Sequence, residues 1–276
     1  MTKKTILITG CSSGIGYTCA HALHKQNYQV ITSCRNKKDV ERLQSEGLTC
    51  IELDLTDKTS ISLAVAETMR LCQGNLYALF NNGAYGQTGA LEDLPVDALK
   101  EQFETNVFGW HQLVCEVLPY MRKQGQGRII QNSSVLGFAA MKYRGAYNSS
   151  KFALEGWTDT LRLELYDTNI EVSLIEPGPI ETQFRANALK KFNQWINVEN
   201  SNHKHEYQRQ LARLEQSSSN NQFVLPPESI ISPLIHALES KRPKLRYRVT
   251  VPTKVFAILR RLLPARWLDP ILRKAA

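Results

Sequence analysis

Short, nearly continuous apolar runs alternate along the chain with longer stretches whose apolar positions recur every three or four residues. The runs are KTILIT (4–9), YQVITS (28–33), LTCIEL (48–53), LYALFN (76–81), RIIQNS (128–133) and IEVSLIE (170–176). They are rich in β-branched residues and lack strict polar alternation, as expected of strands buried on both faces. Between them the helical period predicts helices from about Ile15, over 37–46, 58–72, 106–123 and 147–168. Strand alternating with helix argues for an α/β fold with a parallel, doubly wound sheet. YRVTV (247–251) reads as a last strand and brings the sheet to about seven.

After Pro177 the rhythm breaks. Residues 183–227 are polar, contain QSSSNNQ (216–222) and fit no strand. A connection of that length within one domain predicts a lid over a site or a disordered segment. PPESII (226–231) restarts a helix with proline before its first turn. The chain closes on VFAILRRLLPARWLDPILRK (255–274), which is apolar and basic together. No internal repeat is present. The reading is one catalytic domain over 1–251, with 183–227 as a helical lid inside it, followed by a helical tail over 252–276.

Composition adds little to this until charge is divided along the chain. The 276 residues are 42% hydrophobic and 22% charged, ordinary for a globular domain with a sizeable core. The net charge of +8 is uneven: residues 241–276 hold eleven Lys and Arg against Asp269. That leaves the first 240 residues with 23 basic and 25 acidic side chains. A nucleic-acid binder spreads its cations over one face of a folded module, and the body of this chain has no such excess, so no nucleic-acid partner is expected. No apolar run reaches the length of a membrane span. MTKKTILITG meets glycine too soon for a signal peptide and reads as the first strand. The six cysteines (Cys11, Cys19, Cys34, Cys50, Cys72 and Cys115) form no C-x-x-C pair and have no histidine cluster beside them. They are expected to be reduced thiols in a cytoplasmic protein, with no metal site. His203 and His205 lie in the polar segment and are expected to be solvated.

The first strand runs into TGCSSGIG, residues 9–16. A glycine loop between a buried strand and a helix offers backbone N–H groups and the positive end of a helix dipole to a phosphate. The glycines permit unusual φ angles and a close approach of a diphosphate. The end of the second strand should choose the cofactor: an acid there accepts the ribose hydroxyls of NAD, and an arginine accommodates the 2′-phosphate of NADP. The chain reads TSCRNKK (32–38), with Arg35 and no acid. NADP(H) is the expected cofactor.

TGxxxGIG, then NNGA (81–84), then a serine followed thirteen residues later by YxxxK, together resemble the short-chain dehydrogenase/reductase family. CSSGIG, CRN, YNSSKFALEG and LIEPGPIET are similar to its hydroxysteroid and retinol dehydrogenase branch and to bacterial NADP-dependent aldehyde reductases. The resemblance runs from about residue 5 to 182 and more loosely to 251. It implies a single-domain Rossmann fold and a catalytic tetrad of Asn106, Ser134, Tyr147 and Lys151. Ser134 rather than Ser133 has the thirteen-residue spacing. It implies a dinucleotide cleft made first by Gly10, Ser12, Ser13, Gly14, Ile15 and Gly16. Arg35, Asn36, Asp54 and Leu55 would follow on the adenosine side, with Asn81, Asn82 and Gly83 below. Pro177, Gly178, Ile180 and Thr182 would line the nicotinamide, together with Tyr147 and Lys151. The family's NNAG is NNGA here. If one of these positions needs positive φ, Ala84 would be strained, and Gly83 or Gly86 is expected to absorb the turn.

The chemistry explains why a tyrosine sits one helical turn before a lysine. Hydride delivery to a carbonyl carbon requires a proton at the oxygen. A free phenol with a pKa of ~10 is poorly matched to neutral pH, and lowering it to ~7 takes roughly 4 kcal/mol. An ammonium one turn away supplies part of that. By the resemblance, Lys151 also holds the nicotinamide ribose, Ser134 binds the substrate oxygen, and Asn106 holds a water that links Lys151 to solvent. The residues expected at the substrate are apolar: Leu136 and Met141 between Ser134 and Tyr147, and Phe184 in the lid, with Tyr147 itself. Phe138, Tyr143, Tyr85, Phe192, Trp195 and Ile196 are expected to approach the substrate as well. A lipophilic aldehyde or ketone, or the matching alcohol, would suit them; so would packing of the lid on the core. A retinol or hydroxysteroid dehydrogenase is the alternative activity. A non-catalytic NADP-binding sensor or membrane scaffold is the alternative of another class. Two readings also stand for the tail, in which Val255, Leu259 and Leu262 share a helical face. It rests on anionic membrane as an interfacial helix, or it packs on the domain or a partner subunit. Members of the family are usually oligomers, so a homo-oligomer is expected.

Overall fold

The computed structural model describes residues 3–215 and 222–275. Seven strands form one sheet: β1 Thr5–Ile8, β2 Gln29–Cys34, β3 Thr49–Glu52, β4 Leu76–Asn81, β5 Gly127–Asn132, β6 Ile170–Glu176 and β7 Arg246–Arg248. They are hydrogen-bonded in the order β3-β2-β1-β4-β5-β6-β7, and every pair is parallel. The alternation of side chains across a strand divides the apolar runs between two cores. Leu7, Ile31, Leu79 and Ile129 face one side, where Trp110, Leu113 and Leu154 cover them. Ile6, Ile8, Phe80 and Ile130 face the other, under Cys19, Leu23 and Leu234. This two-sided burial is why the runs read as continuous rather than alternating.

The helices follow the expected order. On the β1–β3 half lie α1 Gly14–Lys25, α2 Lys37–Ser45 and α3 Lys58–Leu71. On the other half lie α4 Val96–Phe103, α5 Gly109–Gln124 and α6 Gly145–Glu164. The periodicity missed α4 and began a helix at Asn106. In fact Glu104–Phe108 is a π-helical turn joining α4 to α5. The wider turn slips the apolar period, and such turns concentrate at functional sites. The segment 183–227 contains α7 Phe184–Trp195 and α8 Lys204–Glu215; most of QSSSNNQ lies outside the described residues. α9 Ile231–Glu239 returns to the sheet, and α10 Val251–Leu262 and α11 Ala265–Ala275 form the tail. β7 ends at Arg248 instead of reaching Val251, because Thr250 caps α10: its hydroxyl accepts a bond from Thr253 N, and Pro252 sits in the first turn.

The strand order reverses between β1 and β4. The crevice beyond their carboxyl ends is where an open sheet of this kind binds its ligand.

Candidate active site

Loops from the ends of β1, β3 and β4 converge on that crevice. Gly10 and Gly14 take φ of +69° and +59°, which explains glycine at both. Closeness explains Gly16 and Gly83. A Cβ on Gly16 would lie 2.4 Å from the Gly10 carbonyl oxygen, and one on Gly10 would lie 2.5 Å from Gly83 Cα. The Thr9 hydroxyl accepts from the backbone N–H groups of Asn82 and Gly83, each at 2.9 Å. The Asn82 amide donates back to the carbonyls of Thr9 and Gly10. Leu55 packs its Cδ1 against Gly83, and Asp54 is held by Thr56, whose N–H and hydroxyl both donate to it.

The expected exchange of turn residues in NNGA does not occur. Among residues 81–86 none has positive φ, so Ala84 is unstrained and neither Gly83 nor Gly86 absorbs a turn. Glycine is needed at 83 for the approach of Gly10, and at 86 because Phe184 stands where a Cβ would be.

α1 opens on this crevice without a side-chain cap at Ser13 and with no acid in its first turn. Its first N–H groups and its positive dipole end are therefore available to an anion. Arg42, which no motif singles out, holds the loop: its guanidinium donates to the Ser12 carbonyl at 2.7 Å and is itself paired with Asp39 and Glu46. Arg35, Asn36, Lys37 and Lys38 are exposed at the end of β2. Among the described residues, none of the three cations has a carboxylate partner. A tight glycine turn and uncapped helix donors beside these cations fit a dinucleotide diphosphate.

On the other side of the sheet's midpoint, Ser133 and Ser134 follow the end of β5, and the two serines have different uses. Ser133 donates its hydroxyl to Glu155 at 2.5 Å, inside the protein. The Ser134 oxygen accepts from Leu136 N at 3.1 Å, so its hydroxyl can still donate. Ser134 stands beside the Tyr147 hydroxyl. Tyr147 and Lys151 both lie on the inner face of α6, 8% and 1% exposed. The Lys151 ammonium donates to the Asn132 carbonyl at 2.7 Å and stands 4.5 Å from the centroid of the Trp110 ring. Burial dominates both titrations. It pushes the Tyr147 phenol up to about 12, against a pull from Ser134, and brings Lys151 down to about 7, against the Glu155 carboxylate.

Asn106 is fully buried on the π-helical turn, with its side chain engaged by protein groups. Its amide donates to the Tyr85 carbonyl and the Ser150 hydroxyl, and its oxygen accepts from Tyr85 N. It thereby joins the 81–85 loop to α6. Glu176, fully buried at the end of β6, accepts from Arg248 and pairs with Arg246, which also reaches Glu155 and Asp159. This network ties the helix of Lys151 to the strand that leads into Pro177 and Gly178. It was missed because its partners lie up to 91 residues apart. The Pro177 carbonyl accepts from Val135 N, Thr182 packs on Gly14, and Ile180 bridges to Leu225. Residues 177–182 thus close the crevice from above.

Of the apolar side chains expected at a substrate, Leu136, Met141 and Phe184 cluster with Tyr147 and Phe138. The Phe184 ring meets that of Tyr147 edge-on at 5.3 Å. Phe192 and Ile196 do not join them: they pack the lid on the core with Ala90 and Tyr207. Trp195 donates instead to Glu101. The tail supplies wall residues that the sequence did not place there, Phe256, Leu259 and Leu272. His203 pairs with Glu92 and contacts Tyr143. Tyr143 itself holds φ of +59° while its carbonyl accepts from Gly89 N.

A model of the short chain dehydrogenase family matches residues 4–193. The chain is 42% identical over 271 residues to the uncharacterized oxidoreductase YbbO of Escherichia coli K12, covering 98% of this chain and 94% of that protein. It is 34% identical over 258 residues to human retinol dehydrogenase 8, covering 90% and 82% of the two chains. Among solved structures, a short chain dehydrogenase/reductase from Burkholderia phymatum in complex with NAD superposes with a TM-score of 0.78. That pair is 21% identical, over 98% of this chain and 95% of the other.

Proposed function

The chain belongs to the short-chain dehydrogenase family, whose general reaction is nicotinamide-dependent hydride transfer, and from that premise we propose that it is an NADP(H)-dependent reductase of lipophilic aldehydes or ketones. The observation that carries the reading is the buried Ser134–Tyr147–Lys151 group facing an apolar wall. A nicotinamide bound over residues 177–182 would supply the hydride. The protein's share is the proton and its placement. Ser134, whose oxygen already accepts from Leu136 N, donates its hydroxyl hydrogen to the substrate oxygen and holds it beside Tyr147. Tyr147 gives that oxygen its proton. Burial raises the phenol to about 12, so it holds its proton at neutral pH, and a neighbouring ammonium is what would draw it back toward the working pH. Lys151 stabilises the phenolate left behind, from a position fixed by the Asn132 carbonyl. Asn106 sets the position of α6 against the 81–85 loop.

NADP(H) is favoured over NAD(H) by Arg35 at the end of β2, with Lys37 and Lys38 behind it and no acid there. The identity to a retinol dehydrogenase supports a second reading within the same chemistry, oxidation of a retinoid or hydroxysteroid alcohol. A homo-oligomer belongs to the same proposal, supported by exposed Phe152 and Leu163 on α6 and Tyr166 just after it. The test is NADPH consumption against aliphatic aldehydes, retinal and steroid ketones. Turnover on a lipophilic class with NADPH and not NADH supports the proposal. NADPH binding without turnover on any class defeats it and favours a non-catalytic binder.

A further inference from the structure

The tail helix α10 has two apolar faces. Phe256 and Leu259 turn inward and join the cluster of Leu136, Met141 and Tyr147. Beside them, turned further toward solvent, Val251, Val255, Ile258 and Leu262 recur at i, i+4, i+7 and i+11, which places them in one stripe. They are 57%, 45%, 57% and 72% exposed. α11 repeats the division: Leu268 is buried, whereas Trp267 and Ile271 face out. Six cations, Lys254, Arg260, Arg261, Arg266, Arg273 and Lys274, stand around these stripes against Asp269. Among the described residues, none of the six has a carboxylate partner within ion-pair distance.

We propose that α10 and α11 dock this outer face on an anionic phospholipid bilayer. No described helix is long and apolar enough to cross a membrane. Two short helices with apolar stripes, a tryptophan and flanking Arg and Lys have the form of helices that lie in the interface. Charge decides the occupant. A second copy of the chain would bring a face of six cations and one acid against its like. An anionic headgroup layer neutralises it, at about fivefold in partition for each basic residue engaged. The docking stands independently of the substrate. Only its consequence rests on the proposed function: because the inner face of α10 walls the site, docking would bring a lipophilic substrate's entrance to the bilayer surface.

The experiment is co-sedimentation of the full chain with vesicles of phosphatidylcholine, alone or mixed with phosphatidylglycerol. Binding to the mixed vesicles only, weakened by salt, is expected. Ile258→Glu combined with Leu262→Glu should cut the bound fraction at least about tenfold while NADPH binding persists. A milder pair, Lys254→Gln with Arg261→Gln, should lower it without touching the apolar stripe. Equal binding to both vesicles, no binding, or unchanged binding of both variants would overturn the proposal. So would light scattering in which the Glu variant dissociates an oligomer and the wild type ignores vesicles, since that assigns the face to a second copy.

Discussion

The ammonium of Lys151 donates to the carbonyl of Asn132 across 2.7 Å, in a place where 1% of the lysine is exposed. The last residue of β5 therefore fixes the cation one helical turn from Tyr147. The cost is desolvation, which lowers the lysine from 10.5 to about 7.

That cost predicts a gain in stability from an inactivating change. Between pH 7 and 10.5 the unfolded chain binds a proton at this lysine that the folded chain does not, so stability rises with pH across that window. Below pH 7 the penalty is complete. Lys151→Met should abolish turnover and raise Tm by about 3 °C or more on the acid side, with the gain fading toward pH 10.5. Thermal unfolding followed at several pH values checks this; a Tm lowered at neutral pH would contradict it.

Glu155 lies one turn beyond Lys151, and its carboxylate favours the lysine's charged form. Glu155→Gln removes that pull and leaves a side chain that can still bond Ser133. The pH–rate limb that reports Lys151 should move toward acid, with Tyr147 and Ser134 intact. A profile that keeps its shape and only loses height would mean that Glu155 serves the structure alone.

Arg35 is predicted to choose the cofactor. Arg35→Ala should weaken NADPH about ten- to hundredfold, the loss of a charge-assisted bidentate contact, and leave NADH within about twofold. Titration of the two cofactors measures it. Equal losses for both would place Arg35 outside the 2′-phosphate site.

Gly178 joins the loop after β6 to the tail. A Cβ there would lie 2.1 Å from the Thr250 hydroxyl, which caps α10. Gly178→Ala should destabilise by about 1–3 kcal/mol and loosen the tail helix. Calorimetry and limited proteolysis after Thr250 are the readouts.

The sheet was legible because its strands are buried twice over, so Ile6, Leu7 and Ile8 all had to be apolar. The glycine loop and the Ser134–Tyr147–Lys151 spacing were legible because each is local: one turn, one helix, one strand end. What escaped was non-local or broke a period. The π-helical turn at Asn106 shifted the helical register and hid α4. Arg42 reaches Ser12 across 30 residues, and Arg246 reaches Glu155 across 91, with no pattern at either end to announce the pairing. Residues 247–251 are β-branched enough to read as strand to the end. Only the capping bond of Thr250 shows why the chain leaves the sheet there. Gly83 looked like a turn glycine, but its role is to let Gly10 approach.

The central claim is that Tyr147 is the proton donor. It is tested most directly by Tyr147→Phe, with NADPH binding and NADPH-dependent reduction of a lipophilic carbonyl measured on the same preparation. The account predicts binding within about twofold of the wild type and turnover reduced by about 10²–10⁴-fold. Turnover that survives the loss of the hydroxyl would contradict it.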